Sequence, residues 1–286
     1  MQIYDRNSGK YIDISQYGQG KLEFLYGNPV GRVLLKIVIT PSTSRFYGWL
    51  KKRRSTAKDI PGFIREYGIK MEDFEDREYD SFSDFFTRKI RPGARIVDDS
   101  TDAFVSPADS KLLLYNIDDN AMLQIKGSSY TVAELVGGKT DVSGFNGGYA
   151  FVFRLSMDDY HRYCYIDKGR INSSYEIKGK LHTVSSISKD HKIFKENSRV
   201  VSILDTDNFG EIIQIEVGAL LVGKIVNHAV TDFAKGEEKG YFEPGGSTVI
   251  VLVKPDVVEP DSDIIKQSAK GIETKIRYGE KIGSKR

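Results

Sequence analysis

Cysteine is nearly absent from this 286-residue sequence, which carries only Cys164. One thiol excludes an internal disulfide, points to no oxidising compartment, and excludes a structural zinc site built from two or more cysteines of one chain. Histidine is scarce as well, with four in all; His191 and His228 stand at no metal-ligand spacing with a partner, and no metal is expected. Long apolar runs are missing. The longest, Val33 to Ile39, is interrupted by Lys36 and closed by Pro41, against the roughly 20 residues of a spanning helix. The opening Met-Gln-Ile-Tyr-Asp-Arg-Asn lacks the basic-then-apolar order of a signal peptide. A strong net charge is lacking too, since the formal value is +2, so the totals suggest no nucleic-acid partner. These absences predict a cytoplasmic protein that at most rests on a membrane face.

What is present is an ordinary globular balance, 40% hydrophobic and 29% charged, enough for one large domain or two modest ones. Charge is uneven locally. Between Arg32 and Lys58 lie Lys36, Arg45, Lys51, Lys52, Arg53 and Arg54 with no acidic residue, a stretch able to attract an anionic surface. Within it Phe46, Trp49, Leu50 and Arg53 recur at helical spacing. That stripe reads either as a surface helix packed on the body or as an interfacial membrane binder. Pro61 suits a first helical turn and Gly68 a left-handed cap. Ser81-Phe82-Ser83-Asp84 has the form of a capping box opening a helix through Phe85, Phe86 and Arg88, ended by Arg91-Pro92-Gly93.

After Ile96 the period changes. Tyr149–Leu155, Ile171–Ile177, Ile212–Val217 and Thr248–Val253 are apolar or alternating segments bounded by Gly, Asp or Asn, and read as strands. Asp167-Lys168-Gly169-Arg170 reads as a hairpin turn joining two of them, and the polar tail from Asp256 ends in a Gly-Ser-Lys-Arg expected to fray. The expected fold is therefore α+β. A helical, membrane-facing region over 1–97 precedes a mostly antiparallel β-sandwich or barrel-like catalytic domain over 98–286.

Three short segments carry potential chemistry: Ser106-Pro107-Ala108-Asp109, Asp159-Tyr160-His161-Arg162 and Gly245-Gly246-Ser247-Thr248. Each alone has a bland reading, as a turn, a structural histidine or a flexible entry to a strand. Together they supply an acid, a base and a nucleophile. Ser247 lacks the G-x-S-x-G elbow and opens an apolar strand instead of a helix. Gly246 leaves the preceding carbonyl unshielded, so the hydroxyl can attack its own backbone.

With these segments in this order the chain resembles the phosphatidylserine decarboxylase proenzymes. The likeness includes Phe85-Phe86-Thr87-Arg88-Lys89 with Arg91-Pro92, the Ser106–Asp109 segment, and Ile125-Lys126-Gly127 with Tyr130. It continues through Asp159–Arg162, Val217-Gly218-Ala219 with Val222-Gly223, and Lys239-Gly240-Tyr241-Phe242 running to Gly246-Ser247-Thr248. The Gly-Gly form of the cleavage motif is similar to the second bacterial type. The resemblance implies self-cleavage between Gly246 and Ser247 into chains 1–246 and 247–286. Ser247 attacks the Gly246 carbonyl, elimination leaves a dehydroalanine, and hydrolysis with loss of ammonia gives a covalent pyruvoyl group, the only cofactor implied. Asp109 would act as charge relay to a histidine. The pyruvoyl group would form an imine with the substrate amine and accept electrons as carbon dioxide leaves, with His161 as general acid/base, giving phosphatidylethanolamine. The implied partners are phosphatidylserine in the membrane, the two chains for each other, and further copies in a homo-oligomer. The implied location is the cytoplasmic membrane face, held peripherally.

One position departs from the family pattern. Cys164 stands where a second histidine of the self-cleavage triad is expected, and a thiol with a free pKa of about 8.5 is a poor base near neutrality. His161 serving both reactions, a histidine entering from another strand, or impaired cleavage would each account for it. His182 is the favoured donor, although counting about Lys168 and Gly169 puts it nearer Leu155 than Cys164, so a bulge is needed. Rival readings are a pyruvoyl decarboxylase of another serine-headed lipid or an amino acid, an inactive family member acting as a binding module, and a Ser-His-Asp hydrolase.

Overall fold

The computed structural model describes residues 2–14, 19–118, 122–125, 128–180, 196–219, 224–245 and 247–286. Its body is built on a ten-stranded sheet. From edge to edge the strands are Asp232–Phe233, Gly169–Ile177, Arg199–Thr206, Gly210–Gly218, Ser247–Val253, Tyr149–Leu155, Ser110–Asn116, Glu273–Ile276, Gln2–Asp5 and Lys10–Asp13. Neighbours run antiparallel, except that Gln2–Asp5 is parallel to Glu273–Ile276. Ser-Thr-Val-Ile-Val-Leu-Val is buried at every position, the β-branched run expected of a strand covered on both faces.

Two three-stranded sheets, Ile225–Asn227/Glu238–Phe242/Arg162–Cys164 and Val258–Pro260/Lys281–Lys285/Ala103–Val105, and a two-stranded ribbon, Met122–Ile125/Ser128–Thr131, accompany the large sheet. Partners directly opposite in a ladder share a face, as do residues two apart. Ser247, Val249, Gly218, Glu216, Gln214, Leu155, Phe153 and Phe151 therefore share one face of the large sheet. The smaller sheets pack on it. Lys239 and Asn227 donate to Glu216, Gln214 donates to the Cys164 carbonyl, and Phe104 lies 5.0 Å from Phe151 between ring centroids. On the opposite face the Val132–Val136 helix is fastened by Arg199, which donates to the Leu135 and Glu134 carbonyls.

The helical region comprises Gln19–Gly27, Pro29–Val38, Pro41–Lys51, Ile60–Tyr67 and Phe82–Phe86. Asn28 and Thr40 cap helices that begin with proline, and Gly68 closes its helix at φ 60°. Ile60, Phe63, Phe82, Phe85 and Phe86 form a second core, against which Met157 of the body packs.

Several expectations need correction. Residues 2–13 are not helical but form a two-stranded edge of the large sheet, anchored by a wholly buried Ile3; two four-residue strands are too short for periodicity to reveal. The Ser81 helix stops at Phe86 because Arg162 takes the Thr87 and Arg88 carbonyls. Ser81 caps Asp84 N–H, while the Asp84 carboxylate turns to Arg77 and Asp80, so only half of the capping box forms. Residues 167–170 make no hairpin. Arg162–Cys164 and Gly169–Ile177 belong to different sheets, and the turn is a crossover. The C-terminus does not fray, because Lys281–Lys285 pairs on both sides.

Candidate active site

Ser247 opens the central strand, pairing with Leu155 on one side and Gly218 on the other. Its side chain is wholly buried. Buried hydroxyls nearly always find a partner, yet Ser247 Oγ has none among the described residues. Leu155 leads directly into the 156–160 loop, which ends at His161. The loop is braced by Asp159, whose carboxylate accepts from Ser156 N–H at 2.6 Å and from Lys111 Nζ at 2.6 and 2.7 Å. On the other flank Phe242 N–H donates to the His161 carbonyl at 3.0 Å, and the chain runs on through Glu243, Pro244 and Gly245 toward Ser247. The segments that lead to Ser247 on either side are thus tied to the His161 loop.

His161 is wholly buried with its ring 4.0 Å from that of Phe86. Its Nδ1 lies 2.9 Å from the Asp159 carbonyl. A carbonyl only accepts, so Nδ1 carries the proton and Nε2 the lone pair. Nε2 has no partner among the described residues. Burial pushes the imidazole pKa down to about 3, and the positive charge of Arg88 adds to this. The two segments therefore carry a neutral base and a hydroxyl, both buried and without a partner among the described residues. Burial also pushes Asp159 up to about 6 against the opposing pull of Lys111, which leaves it ionised at neutrality.

Asp109 is engaged by an arginine and a backbone N–H. Its carboxylate accepts from Arg95 Nη2 at 2.6 Å and Nε at 3.0 Å, and from Tyr278 N–H at 2.8 Å. Arg95 is shared with Asp73 at 2.8 Å. Among the described residues no histidine hydrogen-bonds to Asp109. Cys164 lies beside the Asp109 segment, its N–H on the Pro107 carbonyl at 2.9 Å and its side chain among Phe74, Tyr160 and Tyr278. Burial pushes the thiol up to about 12, so it is a protonated apolar filler and no base. His228 sits at the rim, with Nε2 2.7 Å from a Glu238 oxygen that also pairs with Arg162. His182, His191 and Gly246 lie outside the described residues.

Two features escaped sequence reasoning. Glu216 is a wholly buried carboxylate on the Ser247 face; Oε2 accepts from Lys239 at 2.8 Å and Asn227 at 3.1 Å, and Asn227 accepts from Tyr163 at 2.6 Å. Gln214 and Glu216 alternate with apolar residues, which from sequence reads as a solvent face, but a second sheet covers them. The other is Arg88, wholly enclosed between the rings of Phe74 and Phe85. The charge inside Phe-Phe-Thr-Arg-Lys was visible; its burial was not.

The residues around Ser247 fit a covalent pyruvoyl group derived from it. Among the described residues the hydroxyl has no competing hydrogen bond and the imidazole on the loop after Leu155 has an open lone pair, while the strand behind the hydroxyl is held on both sides.

The sequence profile of the family described as phosphatidylserine decarboxylase matches residues 82–284. Phosphatidylserine decarboxylase proenzyme 2 of Clostridium acetobutylicum is 48% identical over 283 residues, covering 98% of this chain and 97% of the relative. The proenzymes of Desulfitobacterium hafniense and Clostridium perfringens are each 37% identical, over 99% and 100% of this chain and 98% and 100% of their own lengths. A profile spanning most of the chain, and relatives matched from end to end, place it: this chain belongs to the phosphatidylserine decarboxylase family.

Proposed function

We propose that the chain cuts itself between Gly246 and Ser247 and then decarboxylates phosphatidylserine to phosphatidylethanolamine. The observation that carries this reading is the pair of buried, unpartnered atoms Ser247 Oγ and His161 Nε2 on segments tied to each other. His161 accepts the hydroxyl proton as Ser247 Oγ bonds to the Gly246 carbonyl carbon. The Gly246–Ser247 C–N bond then breaks, its nitrogen takes that proton, and the peptide becomes an ester. Loss of the Ser247 α-proton expels the carboxylate of Gly246, and water replaces the nitrogen as ammonia leaves. An imidazole held neutral at low pKa is a weak base, but cleavage happens once per chain and tolerates a slow step. Cys164 fills space, and Asp109 serves the site by fixing Arg95 and the Tyr278 turn. This reading favours His161 acting in both reactions over a second histidine.

The pyruvoyl carbonyl supplies an electrophile for the substrate amine and a sink for the electrons released with carbon dioxide. His161 delivers the proton that replaces the lost carboxylate, Phe86 holds the ring in place, and the buried surroundings exclude water. The lipid is reached from a membrane surface. Val30, Val33, Leu34 and Ile37 line one stripe of the Pro29–Val38 helix and are exposed, as are Phe46 and Trp49 beside the basic cluster. No helix among the described residues is long and apolar enough to cross a membrane, in keeping with peripheral attachment.

The deciding measurement is the denatured mass of the purified protein. Fragments 1–246 and 247–286, the second bearing an N-terminal pyruvoyl group, are expected from the wild type and from Cys164→Ser. His161→Gln is expected to stay intact. An intact wild type with an unmodified Ser247 would defeat the proposal, and a normally cut His161→Gln would move the base to another residue.

A further inference from the structure

Arg88 is buried to 1% exposure, yet among the described residues no carboxylate pairs with it. Its Nη1 and Nη2 reach the Phe85 and Asp158 carbonyls only at 3.4 and 3.5 Å, and among the described residues Nε has no partner. Other buried arginines are well satisfied. Arg95 is held by Asp73 and Asp109, Arg154 by Glu273, Arg162 by Glu238, and Arg199 by carbonyls at 2.7–2.9 Å. The acids around Arg88 are already engaged, Asp109 by Arg95, and Asp158 and Asp159 by Lys111. A desolvated cation without a counter-charge is costly and is retained where an anion arrives to meet it.

Its position says where that anion belongs. Arg88 touches the loop that carries His161, and Phe86, two residues before it, lies against the His161 ring. The substrate brings two anionic groups, the carboxylate that departs and the phosphodiester that stays. Holding the carboxylate with a full positive charge would stabilise the ground state more than the transition state, in which that charge moves into the sink, and would slow the reaction. Holding the phosphodiester gives binding that persists through every step. We propose that Arg88 is the receptor for the headgroup phosphodiester in the cut enzyme, an assignment that rests on the decarboxylase reading above. Burial is the main cause of the low His161 pKa, and an anion there would offset the smaller contribution of the Arg88 charge.

The test compares wild type, Arg88→Gln and Arg88→Lys, each cut into its two chains, in detergent micelles. Phosphatidylethanolamine carries the amine and phosphodiester without the carboxylate; a long-chain 2-alkoxyethylamine carries the amine alone. The wild type is expected to be inhibited about tenfold or more strongly by the phospholipid than by the ether. Arg88→Gln should lose that preference and show a raised KM with a smaller change in kcat, and Arg88→Lys should keep part of both. Undiminished phospholipid inhibition in Arg88→Gln would overturn the assignment, as would a wild type with no preference, a result that needs no variant to fold. A fall in kcat alone would overturn it in favour of the departing carboxylate. Absence of carbon dioxide release from the cut wild type would instead remove the decarboxylase reading itself.

Discussion

His161 is held uncharged, with its pKa pushed from an ordinary 6.5 down to about 3. Between those values the unfolded chain binds a proton that the folded chain refuses, so stability falls as pH drops through this window. Asp159 works in the opposite sense. Its pKa is raised to about 6, so its contribution is present below the unfolded value and lost as pH rises through the folded one. The two partly cancel between about pH 4 and 6, where removing the imidazole uncovers the carboxylate. In a Ser247→Ala background, where neither protein is cut, His161→Gln is therefore expected to unfold less readily in acid than its parent. The gain should build up by at most about 1.4 kcal/mol per unit as pH falls from 6.5 toward 4, measured by urea unfolding at stepped pH. An unchanged pH dependence would mean that the folded imidazole titrates normally.

At the scale of elements, the exposed apolar stripe of Pro29–Val38 and the Phe46–Trp49 pair, whose rings are 5.7 Å apart, present side chains that a water-facing surface does not need. Arg53 stacks on Trp49 at 4.0 Å, placing positive charge beside the apolar patch. Phe46→Ser with Trp49→Ser should weaken binding to vesicles containing anionic lipid by about tenfold while leaving self-cleavage intact. Sedimentation at rising salt reads the basic contribution separately, and unaltered binding would place the membrane contact elsewhere. Elements of this kind were largely legible in the sequence. The Ile60–Tyr67 helix announced itself by Pro61 and Gly68, and the strands holding Ser247, Leu155 and Glu216 by their alternating or continuous apolar runs. Short partners were not legible: Gln2–Asp5 and Lys281–Lys285 are defined by neighbours distant in the chain, which carry no local signal. The same limit applied within the site. Ser247, His161 and Asp109 stood out by motif, but that Asp109 would face Arg95 depends on how the chain folds back between them, which no local pattern encodes.

At the scale of the molecule, the two prospective chains are joined by more than the cut strand. Arg6 pairs with Asp261 and Asp263 at 2.7 Å and Glu280 at 3.1 Å, all three on the far side of residue 247. Removing it leaves a cluster of partly buried carboxylates facing one another. Arg6→Ala is expected to cost about 1–3 kcal/mol, discounted for solvent exposure of the acids, lowering the melting temperature by several degrees. Arg77→Ala, which breaks a more exposed pair with Asp84 within the large chain, should cost under about 1 kcal/mol. Equal losses would show that the N-terminal hairpin does not hold the small chain.

Ser247–Val253 is hydrogen-bonded along both edges, in the middle of the largest sheet. The proposed cut therefore falls at a place that exists only once distant parts of the chain have come together. On that proposal a misassembled copy would not bring His161 to Ser247 and would not acquire the reactive carbonyl. Occupancy of the prosthetic group would then follow the fraction of chains correctly folded. Catalytic activity would double as an inspection mark.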